Sequence, residues 1–164
     1  MKLCSPVSPV LTVAWEQWQR TLCWEEEPVL TLSLQWPKLP EDSPGLRRMG
    51  RYYEKTVQQW RRRWEGPLYE QAKASVQALR SASRPFRPWQ ASAAYTLACQ
   101  TPEVLSLYAD TYEYTGGAHG LTLRRRDVWS LPCGLPRPLS SFFPPRCHWR
   151  RLVLEQVAQT IRRR

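Results

Sequence analysis

Ten apolar residues between Leu46 and Leu79, at positions 46, 49, 53, 57, 60, 64, 68, 72, 76 and 79, recur about every 3.7 residues and draw one continuous helical stripe. Ser43 is suited to cap such a helix and Pro44 to occupy its first turn. The stripe keeps its phase through Gly66-Pro67. Proline at 67 offers no N–H to the carbonyl of Arg63, so the spacing predicts a single long helix with a kink there, ending before the "RPFRPW" segment at 84–89. A stripe of this length needs a covering layer, and the rest of the chain supplies strands rather than more helices of that size.

Residues 29–36, "VLTLSLQW", alternate Leu30, Leu32, Leu34 and Trp36 with Thr31, Ser33 and Gln35, the period of a half-buried strand. The preceding run, residues 10–24, is rich in β-branched and aromatic residues, with Glu25-Glu26-Glu27-Pro28 between the two as a solvated hairpin tip. After the long helix, "QASAAYTLACQ" (90–100) alternates again, with Ala91, Ala93, Tyr95, Leu97 and Cys99 on one face. A turn at Thr101-Pro102-Glu103 leads to "VLSLYADTYEY" (104–114), apolar on both faces like an inner strand, and "LTLRRRDVWSL" (121–131) follows. Five prolines in residues 132–146 exclude a regular element, although "PLSSFF" could lay two phenylalanines over the end of the sheet. The chain closes with a helix whose stripe is Trp149, Leu152, Val153, Gln156 or Val157, and Ile161. The expected fold class is α+β: an antiparallel sheet packed against one long kinked helix, plus a C-terminal helix. Residues 1–9 read as a tail and 10–164 as one domain.

The chain has 164 residues, 42% of them hydrophobic, with nine tryptophans, which is ample for a folded core. Its net charge is +10, almost all from arginine, and +8 of this falls in residues 121–164. Such an excess attracts polyanions, with Arg124, Arg125, Arg126, Arg150 and Arg151 as the contact residues and the Arg162–Arg164 tail beside them. Five widely spaced cysteines without a C-x-x-C pair signal neither a disulfide framework nor a zinc ribbon. No metal-ligand spacing, P-loop, dinucleotide fingerprint or Gly-x-Ser-x-Gly elbow is present, so no metal and no cofactor is expected. No apolar run is long enough to span a membrane, and prolines and charge interrupt the N-terminus where a signal peptide would be apolar. As written, the chain is expected in the cytoplasm.

One stretch is built differently. "TYEYTGGAHG" (111–120) gathers three of the seven glycines and one of the two histidines. The loop has to reverse the chain, which glycine eases, and it also exposes backbone N–H groups beside aromatic side chains. Tyr112, Tyr114, Thr115, Gly116, Gly117 and His119 are therefore the candidate ligand-binding residues. Three roles are open for His119: the tip of a turn, a ligand contact, or a base working with Asp110 or Glu113. A hairpin that sets Tyr114 opposite Leu121 would set Asp110 opposite Arg125 as a cross-strand ion pair.

Tyr112–Gly120, then a strand, a polar turn, "LSSFFPP" from Leu139, and a helix: this order resembles the PdaC/RsiV-like domain family, found at the N-terminal side of a peptidoglycan deacetylase and in the ectodomain of an anti-sigma factor. The resemblance runs from about residue 10 to residue 163. It implies an α+β domain that works outside the membrane and binds or senses, its partner a peptidoglycan or other anionic glycan, or a secreted wall-targeting protein such as lysozyme. Long-range repulsion between two basic proteins weighs against lysozyme. The chain departs from the family in lacking a leader or anchor and in stopping after the helix, where members continue with further strands. A C-terminally shortened sheet would leave an open edge and invite self-association. The leading expectation is a non-catalytic binding module. The alternatives are a nucleic-acid-binding protein and a hydrolase using His119.

Overall fold

The computed structural model describes residues 11–163; the expected tail, residues 1–9, lies outside them. Ala14–Trp24 (β1) and Glu27–Lys38 (β2) form the expected hairpin. Glu25 and Glu26 turn it with φ of 49° and 67°, the left-handed pair that a two-residue reversal of right-twisted strands requires. The acidic triplet is more than a solvated tip. Arg80 forks between Glu25 and Glu27 at 2.6 and 2.8 Å, its guanidinium over the Trp24 ring, and so ties the hairpin to the distant end of the helix.

That helix is continuous and changes pitch at its proline. Pro44–Arg63 (α1) begins with the Ser43 hydroxyl accepting from the N–H of Leu46 at 3.2 Å. Tyr69–Ser81 (α2) carries it on, and the five residues between, Trp64–Leu68, form a π-helical turn around Pro67. A wider turn lets the N–H of Tyr69 reach back to the carbonyl of Trp64, so the backbone absorbs the missing proline donor without leaving the helix. The stripe stays in phase: Met49, Tyr53, Val57, Trp64, Leu68, Ala72 and Val76 are all buried.

Trp89–Gln100 (β3), Val104–Tyr114 (β4), Leu121–Ser130 (β5) and the two-residue Leu135–Pro136 (β6) complete a six-stranded sheet in the order β1-β2-β3-β4-β5-β6. Neighbours are antiparallel except β2 and β3, which pair parallel from Leu30 opposite Trp89 to Gln35 opposite Ala94. The sheet is thus mostly antiparallel, as expected, with this one parallel pair. The long helix leaves one end of β2 and returns to the other, and strands joined by such a crossover must run the same way. At the far end of β3 a bulge between Leu97 and Cys99 ends the buried alternation, and both residues are exposed.

The helix covers one face of the sheet. Its first half buries Tyr53 among Tyr95, Leu105, Leu107, Ala109 and Trp129, and its second half packs Leu68, Ala72 and Val76 on Leu30, Leu32, Leu34, Ala91 and Ala93. Trp60 touches both groups and stacks on Trp64 with 6° between the rings. Tyr53 meets Tyr95 edge-to-face at 5.0 Å, and its hydroxyl accepts from the indole N–H of Trp129 at 2.7 Å. Burial pushes the Tyr53 hydroxyl well above the ordinary tyrosine range, so it stays neutral.

The C-terminal segment departs from expectation. The proline-rich stretch still donates β6 and a 3₁₀ turn at Leu139–Phe142. Its phenylalanines do not cap the sheet: Phe142 lies under Arg137 and Phe143 stacks on Trp149. Trp149–Arg162 (α3) is amphipathic as expected but has no buried residue, with Leu152, Val157 and Ile161 exposed. No helix of the described residues is long and apolar enough to cross a membrane.

Tyr53→Phe strips the buried Trp129 N–H of its acceptor while keeping the ring. The expected loss is about 1–3 kcal/mol, read as a lower urea midpoint at unchanged slope.

Candidate functional site

β4 ends at Tyr114 and β5 starts at Leu121, and the last pair across the hairpin encloses seven residues, Tyr114 to Gly120, one more than the expected register would. Glu113, not Tyr114, stands opposite Leu121, and Asp110 stands opposite Arg124, not Arg125. The expected register is thus wrong by one residue. Tyr114 remains paired with Gln90 of β3, with Arg87 over its ring at 5.1 Å, while Gly120 packs on the Tyr112 ring, so the reversal spans Tyr114 to Gly120. A one-residue slip decides which side chains share a face. Asp110 and Arg124 share one, joined by two hydrogen bonds of 2.7 Å, with the guanidinium 4.3 Å from the centre of the Tyr108 ring. This partner holds the Asp110 carboxyl below its usual value.

Packing accounts for two of the loop's glycines. Gly116 has φ of 85°, and a Cβ there would stand 3.0 Å from the indole nitrogen of Trp89. That nitrogen is buried and has no hydrogen-bond partner among the described residues. Gly120 lies against the Tyr112 ring, close enough that any Cβ would overlap it. A Cβ on Gly117 would meet only the His119 carbonyl of the same loop, at an ordinary 3.8 Å. Thr115, Gly117 and His119 are exposed at the tip, while Tyr112 and Tyr114 are half-buried below them.

The carboxylates near His119 are committed elsewhere. Glu113 faces the helix and accepts from Arg63 at 2.6 and 2.8 Å and from the Trp64 indole at 2.8 Å. Asp110 belongs to Arg124 on the opposite face. No hydrogen bond joins His119 to either among the described residues, so the acid–base pairing considered for a hydrolase is not assembled here.

Nor do the five arginines expected to hold a polyanion form one patch. Arg124 and Arg126 project from the uncovered face of β5. Arg125 projects from the helix-covered face, donating to the Tyr95 hydroxyl at 3.1 Å beside the rings of Tyr52 and Trp60. Arg150 and Arg151 sit on α3, the first over Trp149 and the second paired with Glu155. Among the described residues, no group of three or more His, Cys, Asp or Glu side chains is placed to hold a metal ion.

The arrangement missing from the sequence reading is the uncovered face of the sheet. Tyr108, Asp110, Tyr112 and Tyr114 run along it on β4. Beside them in register stand Gln90, Ser92, Ala94 and Thr96 of β3, then Thr31, Ser33 and Gln35 of β2, then Gln17, Gln19 and Thr21 of β1. Across these four strands the row carries a single charge, Asp110, which Arg124 neutralises. Apart from Ala94, hydroxyls, carboxamides and three tyrosine rings make up the rest. Each strand read alone showed only its polar side. The signal lay in comparing strands: amides and hydroxyls where solvent faces usually carry Lys and Glu.

The chain matches the family model described as "Deacetylase PdaC" over residues 24–122, well over half its length. No curated protein matches it. Its fold is similar to that of two solved structures: a DUF3298 family protein from Pseudomonas aeruginosa PAO1 (TM-score 0.58, 16% identity, 94% of this chain and 66% of that one) and a DUF3298 family member from Bacteroides fragilis (TM-score 0.57, 14% identity, 81% and 62%). The chain therefore spans just under two thirds of each of those proteins.

Gly116→Ala is expected to cost about 1–2 kcal/mol through its left-handed backbone, and Gly117→Ala to stay within about 0.5 kcal/mol; chemical denaturation separates them. Unfolded aspartate titrates near pH 3.9, and Asp110 lies lower when folded. Its pair with Arg124 therefore contributes above about pH 4 and fades as pH falls through the folded value. Asp110→Asn should flatten that part of the acid limb of a stability–pH curve.

Proposed function

The chain belongs to the PdaC family, and on that footing we propose that it is a non-catalytic binding module whose ligand is a cell-wall glycan, held on the uncovered face of the sheet and the adjoining loop. The observation that carries this reading is the tyrosine row Tyr108, Tyr112 and Tyr114 beside rows of Ser, Thr and Gln side chains. Sugars have apolar CH faces that stack on aromatic rings and hydroxyls and acetamides that exchange hydrogen bonds with amides and hydroxyls. A nearly uncharged surface suits the neutral saccharide backbone. Arg87 and Arg126 at its rim suit the acidic groups of a wall polymer. Thr115, Gly116, Gly117 and His119 then form the end wall of the site, with His119 a contact and not a base.

The nucleic-acid reading draws less support, because the arginines it needs are divided between two faces and a separate helix. Recognition of lysozyme or another secreted protein uses the same face and is distinguished by titration with the pure protein.

Pull-down on purified peptidoglycan tests the proposal. Wild type should sediment with the polymer, Tyr112→Ala/Tyr114→Ala should bind roughly tenfold more weakly, the loss of about 1.4 kcal/mol, and His119→Ala should change binding less. A folded double variant that binds as wild type would remove the tyrosine row from the site.

A further inference from the structure

The outer edge of β5 borders the tyrosine row at Arg126, opposite Tyr108, and is paired over only part of its length. β6 shows that this edge accepts a strand: the N–H of Arg137 donates to the carbonyl of Val128 at 2.7 Å, and Pro136 and Leu135 pair with Trp129 and Ser130. The chain then turns away at Pro138 into the 3₁₀ turn, and the edge from Leu121 to Arg126 is left exposed. Backbone polar groups alternate sides along a strand, so the residues in phase with Val128, namely Thr122, Arg124 and Arg126, aim their N–H and C=O groups outward with no strand of the described residues beside them. The side of Leu123 facing inward is already engaged, its carbonyl accepting from the Thr111 hydroxyl.

The side chains along this edge sort by face. Leu121 and Leu123, 63% and 60% exposed, stand on the helix side, beyond the helix's reach. Arg124 and Arg126 stand on the other. Arg124 is neutralised by Asp110, whereas Arg126 has no acidic partner among the described residues. A second copy of β5 fits poorly, since antiparallel self-pairing centred on Arg124 sets that residue against its own copy. The whole molecule, at +10, also repels itself.

We infer that β5 captures an extended peptide segment of about six residues as an added strand, one whose side chains alternate apolar, covering Leu121 and Leu123, with acidic, facing Arg126. Main-chain hydrogen bonds to Thr122, Arg124 and Arg126 give the docking its register, and the two faces give it selectivity.

The probe is a fluorescent, end-blocked nonapeptide of alternating Val and Glu, titrated into the full chain, with an alternating Val and Lys peptide as its counterpart. The Glu peptide should bind saturably, more weakly as salt rises, and at least tenfold better than the Lys peptide. Thr122→Pro removes one outward N–H at an edge position that tolerates proline, and Leu123→Gln removes apolar cover; each should weaken binding about tenfold. N-methylation of alternate amides of the peptide reads out the same point on the unaltered protein: one parity should abolish binding and the other leave it. Equal binding of both peptides, no binding of the Glu peptide, or indifference to both N-methylation parities overturns the inference. So does self-association through this strand, seen as a mass that falls when Thr122 is replaced.

Discussion

One helical layer covers one face of a six-stranded sheet, and most of the molecule follows from that imbalance. The stripe from Leu46 to Leu79 buries Tyr53, Trp64 and the small apolar residues beneath them against β2, β3 and β4. Large aromatic groups on the helix meet alanines on the strands, Ala91, Ala93 and Ala109, so the core is filled from the helix side. The other face has no layer to meet. It must be wetted, and in β1 to β4 it is wetted by hydroxyls and amides in place of the usual charges.

The change of pitch at Pro67 links that packing to the candidate site. Trp64 opens the π-helical turn, fully buried, and its indole donates to Glu113 at the end of β4. Arg63, one residue earlier, grips the same carboxylate with two hydrogen bonds. The helix thus fastens the last turnward residues of β4 from below, while Tyr112 and Tyr114, on either side of Glu113 in sequence, point to the opposite face. A strand pinned on one side presents its alternate side chains on the other with little freedom. The loop beyond them is shaped by contact, Gly116 over Trp89 and Gly120 against Tyr112, and only its tip is free of such demands.

The elements whose information is local were legible in the sequence. The stripe, its cap at Ser43, the proline irregularity, the first hairpin and the strand alternation all declare themselves within a dozen residues. What was not legible depended on partners distant in the chain. The parallel pairing of β2 with β3 depends on where a 50-residue excursion returns. The contacts of Tyr114 with Gln90 and Arg87, neither of which belongs to the hairpin, could not be read from it either. The Arg80 clamp on Glu25 and Glu27 joins residues more than fifty positions apart. For the site, the loop and its tyrosines stood out, but Arg125 could be separated from Arg124 and Arg126 only once strand phase was fixed. The polar face appears only when four strands are laid side by side.

The lone parallel pair also divides the sheet into two pieces of different origin. On one side lies a hairpin, on the other a meander, and each closes through neighbours that meet early because little chain separates them. The seam between Leu30–Gln35 and Trp89–Ala94 joins segments separated by the whole long helix, so a long loop must be closed before any of its bonds exist. That seam therefore carries the largest loop-closure cost of any pairing in the sheet.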